Sequence, residues 1–230
     1  MFNMENKILT EQGQSCLQSL LTIWFDFERG LTKIPIIQRL EQGRLSIEDY
    51  RFLLLNMRQQ VIEGSRWISR CASSFDRSYS DVRSKVIGHA QAEHRDYEML
   101  EQDFVAVGGN LDEIQNAQRN IGSEALHGFL MYHATQKNPV DLIGAMWIIE
   151  GLGNKMASEW AQSIDEIFVG YEGITTFMRY HGKNDEAHVE KLYELIDRLC
   201  KSDKAQENIE RTAKVVARLY LLQLEEIDNG

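Results

Sequence analysis

The chain has 230 residues, of which 43% are hydrophobic and 26% are charged, and its formal net charge is -10. This composition is that of an ordinary globular protein with a sizeable core, so we expect one domain over residues 1–230, with residues 1–13 as a flexible N-terminal segment. The negative charge, without a cluster of Lys and Arg, excludes a nucleic-acid-binding protein and disfavours an anionic membrane surface.

The cysteines and the N-terminus indicate the cellular compartment. Cys16, Cys71 and Cys200 are scattered and odd in number, which argues against a disulfide framework and fits a reducing environment. The N-terminal segment is polar, and no apolar run approaches the roughly 18–20 residues that a membrane span needs. We therefore expect a cytoplasmic protein without a membrane anchor.

Helical periodicity dominates the chain, and no segment alternates over the length of a strand. Ser46 followed by Asp49 predicts a capping pair at a helix start. Asn138-Pro139 predicts a second start, with Asn as the cap and Pro in the first turn. The fold class is therefore all-α, a compact bundle of seven to nine helices. The predicted helices cover residues 14–29, 34–42, 47–74, 79–107, 111–137 (one or two helices), 138–168, 173–181, 184–200 and 205–227.

The strongest chemical signal is the sequence His181-Gly-Lys-Asn-Asp185-Glu-Ala-His188. Steps of four and three residues place all three side chains on one face of a helix. Two imidazoles and a carboxylate form a natural ligand set for a divalent first-row metal. The alternative is a solvated helix face with two incidental histidines, because such spacings also arise by chance.

A second cluster contains His89, Glu93 and Asp96, again with steps of four and three residues. His94 lies off this stripe by one residue, or roughly 100°. The cluster predicts further ligands, although a charged outer face would have the same pattern because the segment is rich in charge.

Two single glutamates stand in apolar surroundings. Glu150 lies in the run Trp-Ile-Ile-Glu-Gly, and burying a carboxylate there is costly unless it is paired or bound to a metal. This context favours a functional role over a side chain that reaches solvent or pairs with an arginine. Glu63 is a candidate substrate contact or extra ligand, with a salt bridge to Arg66 or Arg58 as the favoured interpretation.

The order of these motifs resembles the haem-oxygenase-like superfamily over roughly residues 14–200. Residues 40–51 read L-x-x-G-x-L-S-x-E-x-Y-R, and an acid- and His-rich segment ending in Gly-Gly follows. W-I-I-E-G and the final H-x3-D-x2-H come next. The superfamily includes thiaminase II-like proteins, pyrroloquinoline-quinone synthase and haem-oxygenase-like di-iron oxidases and oxygenases. The final motif, together with the upstream Glu-Gly, resembles the iron-binding branch.

The resemblance implies metal ligands on three helices. The lone glutamate of the family corresponds to Glu150, and the final set corresponds to His181, Asp185 and His188. On the first helix the family has Glu and then His after six intervening residues. This chain has His89 and Asp96 at that spacing instead, with Glu93 between them. The exchange leaves open a two-metal site, a one-metal site or a site without turnover.

The implied cofactor is Fe(II), as one or two ions, with manganese as the alternative ion. Haem is not expected, because the haem oxygenases take an axial His from a helix near the N-terminus and this chain has no His before His89. The implied partners are O2 and a small-molecule substrate. The family also allows a homodimer, which no motif in the chain indicates.

Three hypotheses follow from the sequence. The first is a non-haem iron oxidase or oxygenase that activates O2 on a small organic substrate. The second is a cofactor-independent enzyme similar to thiaminase II or pyrroloquinoline-quinone synthase, in which the same residues perform acid/base chemistry. The third is a non-catalytic helical binding or regulatory protein, since fold alone does not establish function.

Overall fold

The computed structural model describes residues 9–228, apart from the side chains of residues 184–190. This part of the chain contains helices and no strand, which confirms the all-α fold class. None of its helices is long and apolar enough to cross a membrane. The α-helices are α1 (Glu11–Leu31), α2 (Pro35–Glu41), α3 (Ile47–Val61), α4 (Gly64–Ser74), α5 (Ser80–Glu93), α6 (Tyr97–Ala106), α7 (Leu111–Asn116), α8 (Ile121–Ala134), α9 (Leu142–Leu152), α10 (Ser158–Ile167), α11 (Thr176–Leu199) and α12 (Asp203–Glu225).

Helix α9 is the centre of the bundle. Nearly all its residues are buried, as expected for a helix that is apolar on every side. It packs against α1, α8, α11 and α12. The approach to α12 is close because Gly144 has no side chain: a Cβ there would lie 2.2 Å from the carbonyl oxygen of Ile209. The core therefore depends on a backbone-to-backbone contact at this crossing.

The N-terminal helix is longer than predicted. It begins at Glu11, inside the segment expected to be flexible, and Thr10 caps it by accepting a hydrogen bond from the N–H of Gly13. Gly30, directly after the predicted end of this helix at residue 29, lies within the helix, where a Cβ would meet the side chain of Leu221 at 2.5 Å. The glycine is needed for helix packing rather than for a helix end.

Two predicted long helices are interrupted. The one predicted over 47–74 splits at Ile62 and Glu63, and the one over 79–107 splits at residues 94–96. The helix predicted over 138–168 divides too, because α9 begins only at Leu142 and a π-helical turn at Gly153–Ala157 separates it from α10. These breaks explain why the described residues form twelve α-helices rather than seven to nine.

In two places the helix signals misled the prediction. Asn138 is not a helix cap, because it adopts a positive φ of 50° and its side-chain oxygen accepts from the N–H of Asp76. Helix α11 runs through Gly182, where a break was predicted. A Cβ at Gly182 would lie 2.0 Å from the hydroxyl oxygen of Ser158, so this glycine lets α11 and α10 approach closely.

The capping pair predicted at Ser46 is confirmed. The Ser46 hydroxyl accepts from the N–H of Asp49, and the Asp49 carboxylate accepts from the N–H of Ser46. Replacing Ser46 with Ala should lower the free energy of unfolding by about 1 kcal/mol, because an N–H in the first turn of α3 loses its acceptor. Urea denaturation measures this change. The control is Ser69→Ala, at an exposed position within α4, and an equal loss there would contradict the capping role.

The contact at Gly144 gives a second prediction. Gly144→Ala should lower the free energy of unfolding by roughly 1–3 kcal/mol, because α9 and α12 must separate to admit the methyl group. Gly128→Ala is the matched control, since a Cβ at this helical glycine of α8 meets nothing within 4 Å. We expect the control to be neutral or stabilising, because alanine favours the helix. Thermal denaturation of both variants tests the difference.

Candidate metal centre

Side chains from three helices and one turn meet beneath the surface of the bundle. Helix α5 contributes two residues, the turn before α6 contributes one, and α9 and α11 contribute one each. All five were predicted as metal ligands from the sequence. They are His89, Glu93, Asp96, Glu150 and His181.

The five residues form two overlapping triads. The first is His89, Glu93 and Glu150, and the second is Glu93, Asp96 and His181; within each triad the ligand atoms lie within 4.8 Å of one another. His89 Nε2 lies 2.9 Å from Glu150 Oε1, and His181 Nε2 lies 3.2 Å from Asp96 Oδ2. Each imidazole thus meets a carboxylate from another part of the chain, and Glu93 belongs to both triads.

The break at residues 94–96 determines which residues enter the site. The sequence predicted His89, Glu93 and Asp96 on one continuous helix, and that geometry is wrong because α5 ends at Glu93. His94 and Arg95 are exposed in the turn, whereas Asp96 is only 6% exposed. The turn therefore places the side chains of His94 and Arg95 in solvent and the side chain of Asp96 in the interior.

Glu150 is held in the most apolar helix of the protein. It is 6% exposed, as predicted from its sequence context, and the structure pairs it with His89 rather than with an arginine. The next residue, Gly151, packs against the indole of Trp24, where a Cβ would lie 2.9 Å from Cζ3. The π-helical turn follows at once, and π-turns are frequent at functional sites.

The site concentrates negative charge in a buried place. Burial raises the pKa of Glu93 to about 7, and the charge of Glu150 adds to this rise, while His181 and His89 oppose it. Three carboxylates this close are costly to bury without a compensating cation. The donor set of carboxylates and imidazoles is the set that ferrous iron, manganese and zinc accept, so these residues fit a divalent metal.

Two of the predicted ligands, Asp185 and His188, lie outside the described residues. Glu63 lies within them but belongs to neither triad. Its carboxylate accepts from Arg66 at 3.0 Å and from Arg119 at 2.6 Å, in agreement with the salt-bridge interpretation, although Arg119 was not foreseen.

Helix α11 is anchored by a residue that the sequence did not single out. Asp103, on α6, accepts hydrogen bonds from the N–H groups of Thr176 at 2.9 Å and Phe177 at 3.0 Å. The ring of Phe177 in turn lies 4.3 Å from the imidazole of His181, measured between centroids. Asp103 is fully buried, and burial raises its pKa to about 6. It thereby fixes the start of the helix that carries His181.

A cavity opens beside the two triads. Its empty volume is about 890 Å³, including open solvent at its mouth. Glu93, Glu150 and His181 form part of its wall, and most of the remaining wall is apolar. Apolar periodicity marked most of these residues only as core, and no sequence signal distinguishes cavity from core. The wall also includes Met57, Gln60, Trp67, Trp160 and Tyr220.

Solved structures with this architecture define the fold class. A domain of unknown function with a haem-oxygenase-like fold from Shewanella denitrificans superposes with a TM-score of 0.84 at 17% identity, covering 94% of this chain and 91% of that chain. A TenA homologue from Pseudomonas syringae gives 0.78 at 13% identity, covering 98% of each. A TenA-like thiaminase from Sulfolobus solfataricus, itself described as a candidate, gives 0.67 at 12% identity, covering 96% and 97%. The protein therefore has the haem-oxygenase-like fold, as predicted.

The sequence comparison is more specific. The model of a family described as "Iron-containing redox enzyme" matches residues 87–221, which is more than half of the chain and includes all five residues of the two triads. The chain belongs to this family of iron-containing redox enzymes within the haem-oxygenase-like superfamily. No protein of curated function matches it.

The charge on Glu93 gives a prediction for the metal-free protein. Because the pKa of Glu93 is raised in the folded state, protonation of its carboxyl group stabilises the folded protein. This contribution to the free energy of unfolding is complete below the ordinary pKa of a glutamate, and it is lost as the pH rises through about 7. Glu93→Gln removes the charge, so it should raise the free energy of unfolding of chelator-treated protein at pH 8 by roughly 1–3 kcal/mol, with less effect at pH 5.

Urea denaturation at the two pH values measures this effect. The control is Glu98→Gln on α6, because an ion pair with Arg95 lowers the pKa of that carboxylate. We expect no gain for the control at pH 8. A loss of stability for Glu93→Gln at pH 8 would show that the charge of Glu93 is already compensated in the metal-free protein.

Proposed function

We propose that the protein is a non-haem iron-dependent oxidoreductase that activates O2 on a small organic substrate. The observation that carries this proposal is the pair of triads, built from buried and half-buried residues, that share Glu93. Membership of the iron-containing redox family supports iron as the metal. The proposed cofactor is Fe(II) without haem, and manganese is the alternative ion. The proposed location is the cytoplasm.

The shared carboxylate favours two ions over one. Glu93 has two oxygens, and each triad needs one ligand atom from it. His89 and Glu150 would bind one ion together with Glu93, and Asp96 and His181 would bind the other. Asp185 and His188 remain proposed ligands on the same helix as His181. The exchange of imidazole and carboxylate on the first helix therefore preserves a ligand set for two ions.

The chain's own residues would perform three tasks. The five ligands hold the ions, and bound ferrous iron would supply the redox chemistry toward O2. The anchoring of α11 by Asp103 fixes the orientation of His181, as outer residues generally do in metal sites. The apolar cavity wall excludes water from the reacting region and holds the substrate beside the triads.

A second candidate is cofactor-independent acid/base chemistry, as in the second sequence hypothesis. The close pairs His89–Glu150 and His181–Asp96 favour it, because a carboxylate beside an imidazole can orient it for proton transfer. The similarity to TenA-like structures is compatible with it at the level of fold. Turnover by protein freed of metal would support this candidate against the iron-dependent one.

The decisive test is iron content. Protein reconstituted anaerobically with Fe(II) and then desalted should retain one to two irons per chain, measured by elemental analysis. His181→Ala should lose most of this iron, because an imidazole ligand and its pair with Asp96 disappear. Reconstituted wild-type protein should also consume O2 in an electrode assay, and the variant should consume far less.

The matched control is His94→Ala. His94 is one residue from Glu93 but is exposed and belongs to neither triad. Iron content and O2 uptake should be unchanged in this variant. Wild-type iron stoichiometry in His181→Ala would remove His181 from the site, and no iron in wild-type protein after reconstitution would refute the proposed function.

A further inference from the structure

Neither of the usual structural reasons for a glycine applies at Gly64. This residue begins α4 and lines the cavity beside the triads. Its φ is not positive, so other residues can adopt its backbone conformation. A Cβ built at Gly64 meets no heavy atom of the described residues within 4 Å, so no close approach of two helices requires its small size. Glycine is also a weaker helix former than alanine, and its presence here needs another explanation.

The other glycines of the bundle show the contrast. Gly144 and Gly182 lack a side chain because a neighbouring helix lies against them. Gly88 and Gly128, like Gly64, have open space at the position of a Cβ. However, Gly88 and Gly128 are exposed and are not part of the cavity wall, whereas Gly64 is half-buried and lines the cavity. A half-buried residue next to open space borders a concavity rather than the outer surface, which indicates that the space at Gly64 belongs to the cavity.

The cavity wall around Gly64 is apolar. Trp67 follows Gly64 by three residues on α4, so the two lie on one face of this helix, and Trp67 and Met57 line the same cavity. Aromatic rings pack favourably against indole rings and thioether sulfur atoms. The residues that α3 and α4 contribute to the wall are apolar apart from Gln60, whose Oε1 accepts from the Tyr220 hydroxyl at 3.2 Å. The metal-binding side chains of the wall come instead from α5, α9 and α11.

We propose that the space beside Gly64 receives an apolar part of the ligand that is as large as an aromatic ring, and that Gly64 is a specificity-determining residue. As a statement about the substrate, this inference rests on the proposed function. The substrate class is then a molecule with a ring-sized apolar body, whose reacting group lies at the side of the cavity formed by α5, α9 and α11. A larger side chain at position 64 would occupy the space that this body needs.

The test compares two probes that differ by one ring, 2-naphthol and phenol. Isothermal titration calorimetry on chelator-treated protein measures their dissociation constants, so that binding does not depend on a metal. The wild-type protein should bind 2-naphthol about 10-fold or more tighter than phenol, because the second ring buries more apolar surface. Gly64→Leu should weaken the binding of 2-naphthol by about 10-fold or more and change that of phenol by less than about 3-fold, because the leucine fills the space of the second ring.

A smaller change and a control accompany this variant. Gly64→Ala should be at least as stable as wild type, because the backbone conformation allows alanine, and it should weaken 2-naphthol by about 3-fold. The matched control is Gly128→Leu, since Gly128 is a helical glycine with open space around it but lies outside the cavity wall. The control should preserve both affinities. Circular dichroism verifies folding, and iron retention after reconstitution should be unchanged in the Gly64 variants, because Gly64 belongs to neither triad.

Several results would overturn the inference. Binding of neither probe by wild-type protein, or equal binding of both, would do so without any variant. An unchanged affinity for 2-naphthol in Gly64→Leu, or in Gly64→Ala if the leucine variant does not fold, would show that the space beside Gly64 is not used. Equal weakening of both probes would show general damage to the cavity instead of a limit on size. The iron measurement is independent: size selectivity without iron binding refutes the proposed function alone, whereas iron binding without size selectivity refutes this inference alone.

Discussion

The burial of three carboxylates within a few ångströms of one another is the constraint on which the rest of the structure depends. Glu93, Asp96 and Glu150 converge inside an all-helical bundle, where the surrounding apolar side chains leave little water to screen their repulsion. Two imidazoles relieve only part of the charge, as the raised pKa of Glu93 indicates. A fold that maintains this arrangement needs a core rigid enough to oppose the repulsion, or a cation that removes it.

The bundle provides that rigidity through helices that are closely packed and locally interrupted. Helix α9 carries Glu150 and is fixed on α12 at Gly144, where the two backbones touch. The interruptions occur beside the site: residues 94–96 turn Asp96 inward, and the π-helical turn Gly153–Ala157 follows Glu150 closely. Regular helices at either place would have continued past the metal centre, so these irregularities are part of how the site is built.

The sequence correctly predicted those features that depend only on residues close together along the chain. The pair Ser46 and Asp49 was found because capping depends on residues three positions apart. The five residues of the two triads were found from helical spacing and from the cost of a buried glutamate. The break after Glu93 and the continuity of α11 through Gly182 were missed, because contacts from elsewhere in the chain decide them. The cavity was missed for a related reason: a residue that lines a cavity has the same periodicity as one that fills the core.

The two triads and the cavity are physically one system, since Glu93, Glu150 and His181 belong to both. An apolar wall lowers the effective dielectric constant around the carboxylates. The lower dielectric constant strengthens the repulsion between the carboxylates in the metal-free protein. It also strengthens the attraction between the carboxylates and a bound divalent cation. The same wall penalises a charged ligand that no cation accompanies. The apolar cavity wall and the high cost of leaving the carboxylates without a cation are therefore one property of this side of α9.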